Sequence, residues 1–252
     1  MTPPELNRTF SLFLDLDGTL LEIAATPDQV VVAPSLPGLL GALRDELGGA
    51  IAIVSGRPIA ELDHLLTPFS GSAAGEHGAS IRYDDGTTEE FPSGMAVPPL
   101  WRESLVAAAE MMPGVIIETK PHGMTVHYRL APERGENVKR LTRALVPDDH
   151  PRFRLLPARQ AVEIGLADAS KGDAVHRLMK QAAFKDRKPI FVGDDVTDEA
   201  GIQAAIELGG MGLRVSEYFD GDPARVREWL LRGLRRMGGS LPQPADKPAV
   251  AP

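Results

Sequence analysis

The chain has no cysteine among its 252 residues. That excludes disulfide bonds, a thiolate nucleophile and any metal site built on cysteine. Long hydrophobic runs are also missing. Stretches such as Ala50–Val54 are short, far below the roughly 20 apolar residues of a membrane-spanning helix, so no membrane partner is expected. The first residues, Met-Thr-Pro-Pro-Glu-Leu, lack the basic flank and apolar centre of a secretory signal, and a cytoplasmic protein is expected. Basic residues are in deficit, 27 Lys and Arg against 35 Asp and Glu, for a net charge of −8. Nucleic acid is held by clustered cations that neutralise its phosphates, so the balance argues against nucleic acid as a partner. No His-Glu-x-x-His pattern for zinc occurs. What the chain does have is 43% hydrophobic residues, enough for one large core or two modest ones.

The most informative stretch is residues 10–20, Phe-Ser-Leu-Phe-Leu-Asp-Leu-Asp-Gly-Thr-Leu. An apolar strand runs into Asp15-Leu16-Asp17-Gly18-Thr19. Residues i and i+2 of a strand share a face, so Asp15 and Asp17 can reach one cleft. Gly18 frees the backbone for a sharp turn close to a ligand.

Four segments read as buried parallel strands: Thr9–Leu14, Ala50–Val54, Pro189–Val192 and Met211–Val215. Leu36–Leu47, Ile59–Leu66, Lys171–Ala183 and Asp198–Leu208 carry helical spacing. The alternation predicts a doubly wound α/β domain with a parallel sheet. The middle of the chain changes character. Helix 100–112, strands 115–119 and 125–129, helix 135–145 and strands 153–156 and 161–164 make an α-β-β-α-β-β order. That order predicts a small antiparallel sheet with helices on one face, inserted as a second, α+β domain. The expected division is 1–92 with 167–237 for the first domain and 93–166 for the insertion, bounded by the Pro-rich stretch Pro92–Pro99 and by Gly165–Ser170. The Gly, Pro and Ala-rich tail, 238–252, is expected to be disordered.

Three further loops follow or precede these elements and are expected to meet Asp15. Ser55-Gly56-Arg57 offers a hydroxyl and a backbone N–H to an anion. Lys171 stands at a helix start, where the macrodipole disfavours a cation unless a negative group faces it. Asp194, Asp195, Asp198 and Glu199 place four carboxylates within six residues, which repel unless a cation lies among them. Oxygen donors without cysteine favour Mg²⁺ over zinc. A hard cation beside a nucleophilic carboxylate, with a Lys and a hydroxyl for an anion, suits phosphoryl transfer.

In that order, Asp15-Leu-Asp-Gly-Thr, Ser55-Gly-Arg, Lys171 and Gly193-Asp-Asp-x-Thr-Asp resemble the four motifs of the haloacid dehalogenase (HAD) superfamily of phosphatases. The resemblance implies a Rossmann-like core with an α+β cap in place of the insertion. Gly75-Glu76-His77-Gly78-Ala79, Glu118-x-Lys120, His127-Tyr128-Arg129 and Val162-Glu163-Ile164 are similar to markers of the trehalose-6-phosphate phosphatase family. The likeness spans residues 15–199, and the chain is too short to carry a synthase domain as well.

The resemblance implies that Asp15 is the nucleophile and Asp17 the general acid and base. It implies a Mg²⁺ ion held by Asp15, the Asp17 carbonyl and Asp194, with Asp195 or Asp198 orienting coordinated water. Ser55, Gly56 and Lys171 would hold phosphate. Glu118, Lys120, Arg129, Arg159 and Glu163 would meet the sugar, with Arg57, Glu76 and His77 beside them. The chain departs from the family at Ala158-Arg159, where Gly-Lys is usual, and Arg changes the donor geometry. A small sugar phosphate is the expected partner and a monomer the expected state. The competing functions are a phosphatase for another sugar phosphate, such as sucrose phosphate or mannosyl-glycerate phosphate, a phosphomutase, and a non-catalytic sugar-phosphate sensor.

Overall fold

The computed structural model describes residues 1–90 and 95–241. In chain order the first part contains β1 (Phe10–Leu14), α1 (Leu36–Glu46), β2 (Ile51–Val54), α2 (Ile59–Leu66), β3 (Ser72–Gly75), β4 (Ser80–Arg82) and β5 (Thr88–Glu90). Then come α3 (Pro99–Glu110), β6 (Ile116–Thr119), β7 (Met124–His127), α4 (Gly135–Leu145), β8 (Phe153–Ala158) and β9 (Ala161–Leu166). The chain returns with α5 (Lys171–Leu178), β10 (Lys188–Gly193), α6 (Glu199–Glu207), β11 (Met211–Arg214), α7 (Val215–Tyr218) and α8 (Pro223–Arg236).

Two sheets result. The larger has the order β11-β10-β1-β2-β3-β4-β5, parallel from β11 to β3 and antiparallel at its last two strands. Strands β1 and β2 are buried along nearly their whole length, as a central parallel sheet covered on both faces requires. Successive strands spread outward from β1 in both directions, so β1 sits at the topological switch point, where open α/β sheets bind their ligands. Asp15 follows β1 directly and donates its N–H to Val192 O at 3.0 Å.

The smaller sheet, β6-β7-β9-β8, is wholly antiparallel. One face is apolar. Ile117, Met124, Val126, Leu155, Val162 and Ile164 pack there with Leu105 of α3 and Val138 of α4 in a hydrophobic cluster separate from that of the large sheet. The insertion expected from the α-β-β-α-β-β order therefore has its own core, with helices on one face only. Its opposite face looks toward the end of β1.

Several expectations need correcting. Strands β3, β4 and the edge strand β5 are not legible in the sequence: Ser-Ala-Ala-Gly has no branched apolar residues, β4 is three residues long and β5 is exposed. Helix α8 was also missed, although Asp222 caps its N-terminus and Pro223 stands in its first turn. The helix expected over 171–183 stops at Leu178 and gives way to turns. Strands β8 and β9 run two residues further than expected. Pro157 has no N–H to donate, which an edge strand such as β8 tolerates. Of the tail expected from 238, Leu241 packs against the main core, and residues 242–252 lie outside the described residues. The expected boundary at Pro92 also lies outside them. Among the described residues no helix is long and apolar enough to cross a membrane.

Candidate active site

A cavity of about 460 Å³ opens between the strand ends of the large sheet and the polar face of the small one. From the large sheet it is lined by Asp15, Asp17, Ser55, Gly56, Lys171 and Asp194. The sequence-predicted motifs thus converge on one place, although Asp15 and Asp194 lie 179 residues apart.

At the floor, Asp15 and Asp198 share one ammonium. Lys171 Nζ donates to Asp15 Oδ1 at 2.7 Å and to Asp198 Oδ1 at 2.6 Å, with all three groups buried. Burial alone would lower the Lys171 pKa, but the two carboxylates raise it above the ordinary lysine range. Asp15 is pushed well up, first by burial and then by the charge of Asp198, against the opposing pull of Lys171. Ser170 caps the helix that presents Lys171 by accepting the Asp173 N–H at 3.0 Å.

The loop after β10 folds around Asp198. Its Oδ2 accepts the N–H groups of Asp194 and Asp195, each at 2.9 Å, and Asp195 Oδ1 accepts the Val196 N–H at 2.7 Å. Asp198 therefore shapes the loop: its Oδ1 accepts from Lys171 and its Oδ2 from two backbone N–H groups, which uses three of its roughly four lone-pair sites. Asp194 is left on the open side. Desolvation by the surrounding loop, then the charges of Asp198 and Asp195, push its carboxyl up to about 7. Oxygens of Asp15, Asp194 and Asp198 lie within 4.8 Å of one another. Gly18, at φ +86°, turns the first loop against this group, and a Cβ there would stand 2.2 Å from Asp194 Oδ2. Carboxylates pressed together with one ammonium among them are a donor set that fits a hard divalent cation. Asp15 and Asp194 would hold it.

Arg57 differs from expectation. Its guanidinium grips Asp17 through Nε–Oδ2 at 2.6 Å and Nη2–Oδ1 at 2.8 Å, while also donating to Glu61 and to Pro27 O. Burial opposes its charge, yet Asp17 and Glu61 hold it above the usual arginine range. Arg57 lines the cavity, but four of its five N–H donors go to protein, two of them to Asp17. Ser55 is buried at the end of β2, its Oγ accepting the Arg57 N–H at 3.2 Å.

The roof follows from strand register. Glu118, Thr125, Glu163 and Leu156 stand opposite one another across the four strands, and all four line the cavity. Two residues along, His127, Ala161 and Ala158 form a second row on the same face. Lys120, just past β6, is buried and donates to Glu163 Oε2 at 2.8 Å and to Gly56 O at 2.9 Å. Burial would depress Lys120, but Glu163 and Glu118 raise it. Glu163 is held far below the ordinary carboxylate range: burial resists, and Lys120 and His77 overcome it. Thr125 Oγ1 adds a donor to Glu163 at 3.2 Å, and His77 Nε2 lies 3.3 Å from its other oxygen. Glu118 pairs with His127 at 2.7 Å. Thr125 was not anticipated, although the two-residue alternation of the β6–β7 hairpin points to it.

Arg129 and Arg159 stand at the cavity rim. Arg129 donates to Ala24 O and to Arg159 O, and Arg159 is exposed. Glu76 is the clearest correction. It does not line the cavity, and both carboxylate oxygens are taken by His122, so it is not free to bind a substrate.

Comparison with known proteins bears on this geometry. A family model described as trehalose-phosphatase matches residues 13–216. A probable trehalose-phosphate phosphatase of Sinorhizobium fredii is 42% identical over 206 residues, covering 82% of this chain and 77% of the relative. The trehalose-6-phosphate phosphatase of Escherichia coli is 36% identical over 231 residues, covering 92% and 85%. The C-terminal domain of C. albicans trehalose-6-phosphate phosphatase has the same fold, with a TM-score of 0.74 at 20% identity over 92% of this chain and 98% of that one. A family model spanning most of the chain, and relatives above 30% identity over 77% and 85% of their length, have one meaning: the chain belongs to the trehalose-phosphatase family.

Proposed function

We propose that this protein hydrolyses trehalose 6-phosphate to trehalose and phosphate, with Mg²⁺, through an aspartyl-phosphate formed on Asp15. The observation that carries the reading is the two-ended cavity. Its floor has an excess of carboxylate and a buried ammonium, suited to a phosphoryl group and a cation. Its roof has carboxylates, an ammonium and a hydroxyl, suited to sugar hydroxyls. The volume, about 460 Å³, lies within the range of small-molecule sites.

Asp15 attacks phosphorus, and Lys171 together with the Ser55 and Gly56 loop holds the equatorial oxygens. Both Asp17 oxygens accept from Arg57 in the resting site, so the acid role requires one of those bonds to open and that oxygen to take up a proton; Asp17 then gives the proton to the departing sugar oxygen and takes one from the water that cleaves the acyl-phosphate. A Mg²⁺ ion on Asp15, Asp194 and the Asp17 carbonyl would neutralise the charge of the transferring group. Residues 93–166 act as the cap that selects the sugar, and residues 1–92 and 167–237 as the core that does the chemistry. Separate hydrophobic clusters under the two sheets support this division.

The test is phosphate release from trehalose 6-phosphate, sucrose 6-phosphate, glucose 6-phosphate and an aryl phosphate, with Mg²⁺ and with chelator. Trehalose 6-phosphate is expected to have the highest kcat/KM, and chelator to stop turnover. A preference for glucose 6-phosphate over the disaccharide rejects the trehalose reading.

A further inference from the structure

Between β3 and β4 the chain makes a tight strap, Glu76–Gly78. Its φ angles are +47°, +58° and +103°, three successive residues in the left-handed region, two of which carry a Cβ. Such a backbone persists where its surroundings over-determine it. Here they do so on three sides. Toward the phosphate loop, His77 N donates to Ser55 O at 2.9 Å and Glu76 N to Arg57 O at 3.1 Å. Toward the helix bearing Lys171, a Cβ on Gly78 would stand 2.6 Å from Ser170 O. Toward the small sheet, His77 reaches Glu163 and Glu76 reaches His122.

The last contact is the informative one. Glu76 Oε2 accepts the backbone N–H of His122 at 2.8 Å, and Oε1 lies 3.0 Å from its Nδ1. One oxygen thus holds the backbone and the other the imidazole of the same residue. Both residues are buried and neither lines the cavity. His122 lies in the β6–β7 turn, closed by the Lys120 N–H to Gly123 O at 3.0 Å. Whatever holds this turn therefore sets where the Lys120 ammonium falls, between Gly56 O of the phosphate loop and Glu163 of the roof.

We propose that Glu76 and His122 form a clamp between the two sheets, and that both are positioning residues for sugar selection: they fix Lys120 and Glu163 in register with the phosphate loop. The clamp rests on the sugar-phosphate reading above. It carries no chemistry itself and touches no reacting atom. Its effect is on substrates that reach the roof, and a small aryl phosphate does not need the roof.

The experiment uses the full chain with Mg²⁺ and compares kcat/KM for trehalose 6-phosphate with that for an aryl phosphate. Glu76→Ala loses both bonds of the clamp, and the ratio of the two values is expected to fall by at least about tenfold, with the aryl-phosphate value nearly unchanged. His122→Ala keeps the backbone bond and is expected to fall between wild type and Glu76→Ala. Glu76→Gln restores the clamp, since its amide oxygen accepts the His122 N–H and its amide nitrogen donates to an unprotonated Nδ1. Its ratio should return to the wild-type value. If Glu76→Ala melts below the assay temperature, His122→Ala carries the same test.

Equal losses on both substrates, or an unchanged ratio in the alanine variants, overturn the clamp and leave a purely structural contact. A Glu76→Gln variant as unselective as Glu76→Ala overturns it too, because charge and not position would then be the cause. A wild-type protein without preference for trehalose 6-phosphate overturns the substrate reading instead, so the two failures are distinguishable.

Discussion

Two lysines lie buried among carboxylates at opposite ends of the cavity, and they are held differently. Lys171, at the floor, has Asp15 and Asp198 at 2.7 and 2.6 Å, both on the large sheet or its loops. Lys120, at the roof, has Glu163 at 2.8 Å, Glu118 at 3.8 Å and a carbonyl of the opposite sheet's loop at 2.9 Å. The floor has more carboxylate than its ammonium neutralises, since Asp194 presses on the same group. The roof carries a smaller excess, with Lys120 between two carboxylates, and those carboxylates are met by His127, His77 and Thr125. An excess of carboxylate at the floor calls for a cation, and only with that cation can an anionic phosphoryl group settle beside it. A roof of exchangeable hydrogen bonds calls for hydroxyls. A site that pairs hydroxyls discriminates by leaving polar groups unpaired beneath the wrong ligand.

The comparison breaks most completely at the floor. Asp15→Asn is expected to reduce phosphate release to background on every substrate while far-UV circular dichroism stays native, because an amide is no nucleophile toward phosphorus. Activity near wild type would remove Asp15 from its role. Asp17→Asn is expected to lower kcat by about 10²–10⁴-fold, the usual worth of general acid–base catalysis, at saturating Mg²⁺. Mg²⁺ affinity should change little, since only the backbone of Asp17 is assigned to the ion. A variant that loses Mg²⁺ affinity but keeps its rate contradicts the assignment.

At the roof the loss should be selective. Glu163→Ala strands the buried Lys120, and kcat/KM for trehalose 6-phosphate is expected to fall about 10²-fold, with the aryl phosphate affected much less. Part of the loss should appear in kcat, because remote binding energy drives closure. Equal losses on both substrates would make Glu163 a support for the floor.

Acidity sharpens the contrast. In the metal-free fold Asp194 is raised to about 7, so its preference for the protonated form is complete below the ordinary carboxylate range and is lost as pH climbs through about 7. Mg²⁺ takes the carboxylate, so its affinity should rise with pH across the same window. Melting temperature measured with and without Mg²⁺ at about pH 6 and about pH 8 checks both, the stabilisation by Mg²⁺ being larger at the higher pH. A shift independent of pH counts against Asp194 as a ligand. The smallest effect is expected at the rim, where the exposed Arg159→Lys keeps the charge and changes only donor geometry, so kcat/KM for trehalose 6-phosphate should change only a few-fold, since an exposed ionic contact is worth at most about 1 kcal/mol.

The floor was more legible in the sequence than the roof, for a physical reason. Each floor residue sits at or just past the end of an apolar strand or at a helix start, so its local context announces it: Asp15 after β1, Ser55 after β2, Asp194 after β10, Lys171 opening α5. Roof residues are scattered along short amphipathic strands and owe their meeting to pairing between strands. Glu118, Thr125 and Glu163 are neighbours only because β7 lies between β6 and β9. Thr125 went unnoticed for that reason, while Glu118 and Glu163 were found through family markers. The resemblance places Arg57 and Glu76 beside the sugar, and their partners Asp17 and His122, 40 and 46 residues away, are not visible in local sequence.

The sequence by itself determined the alternation of apolar strands and helices, the inserted antiparallel unit, and the residue types able to hold a cation and a phosphoryl group. Those follow from periodicity and from the chemistry of side chains at strand ends, which are local properties. The tertiary structure alone decided which carboxylate is free and which is spent. Both line the cavity, but Asp198 is buried against two backbone N–H groups and Lys171, whereas Asp194, four residues earlier, is exposed. Whether a buried charge serves as a ligand or as a brace depends on what has already satisfied its oxygens, and that depends on contacts between segments far apart in the chain.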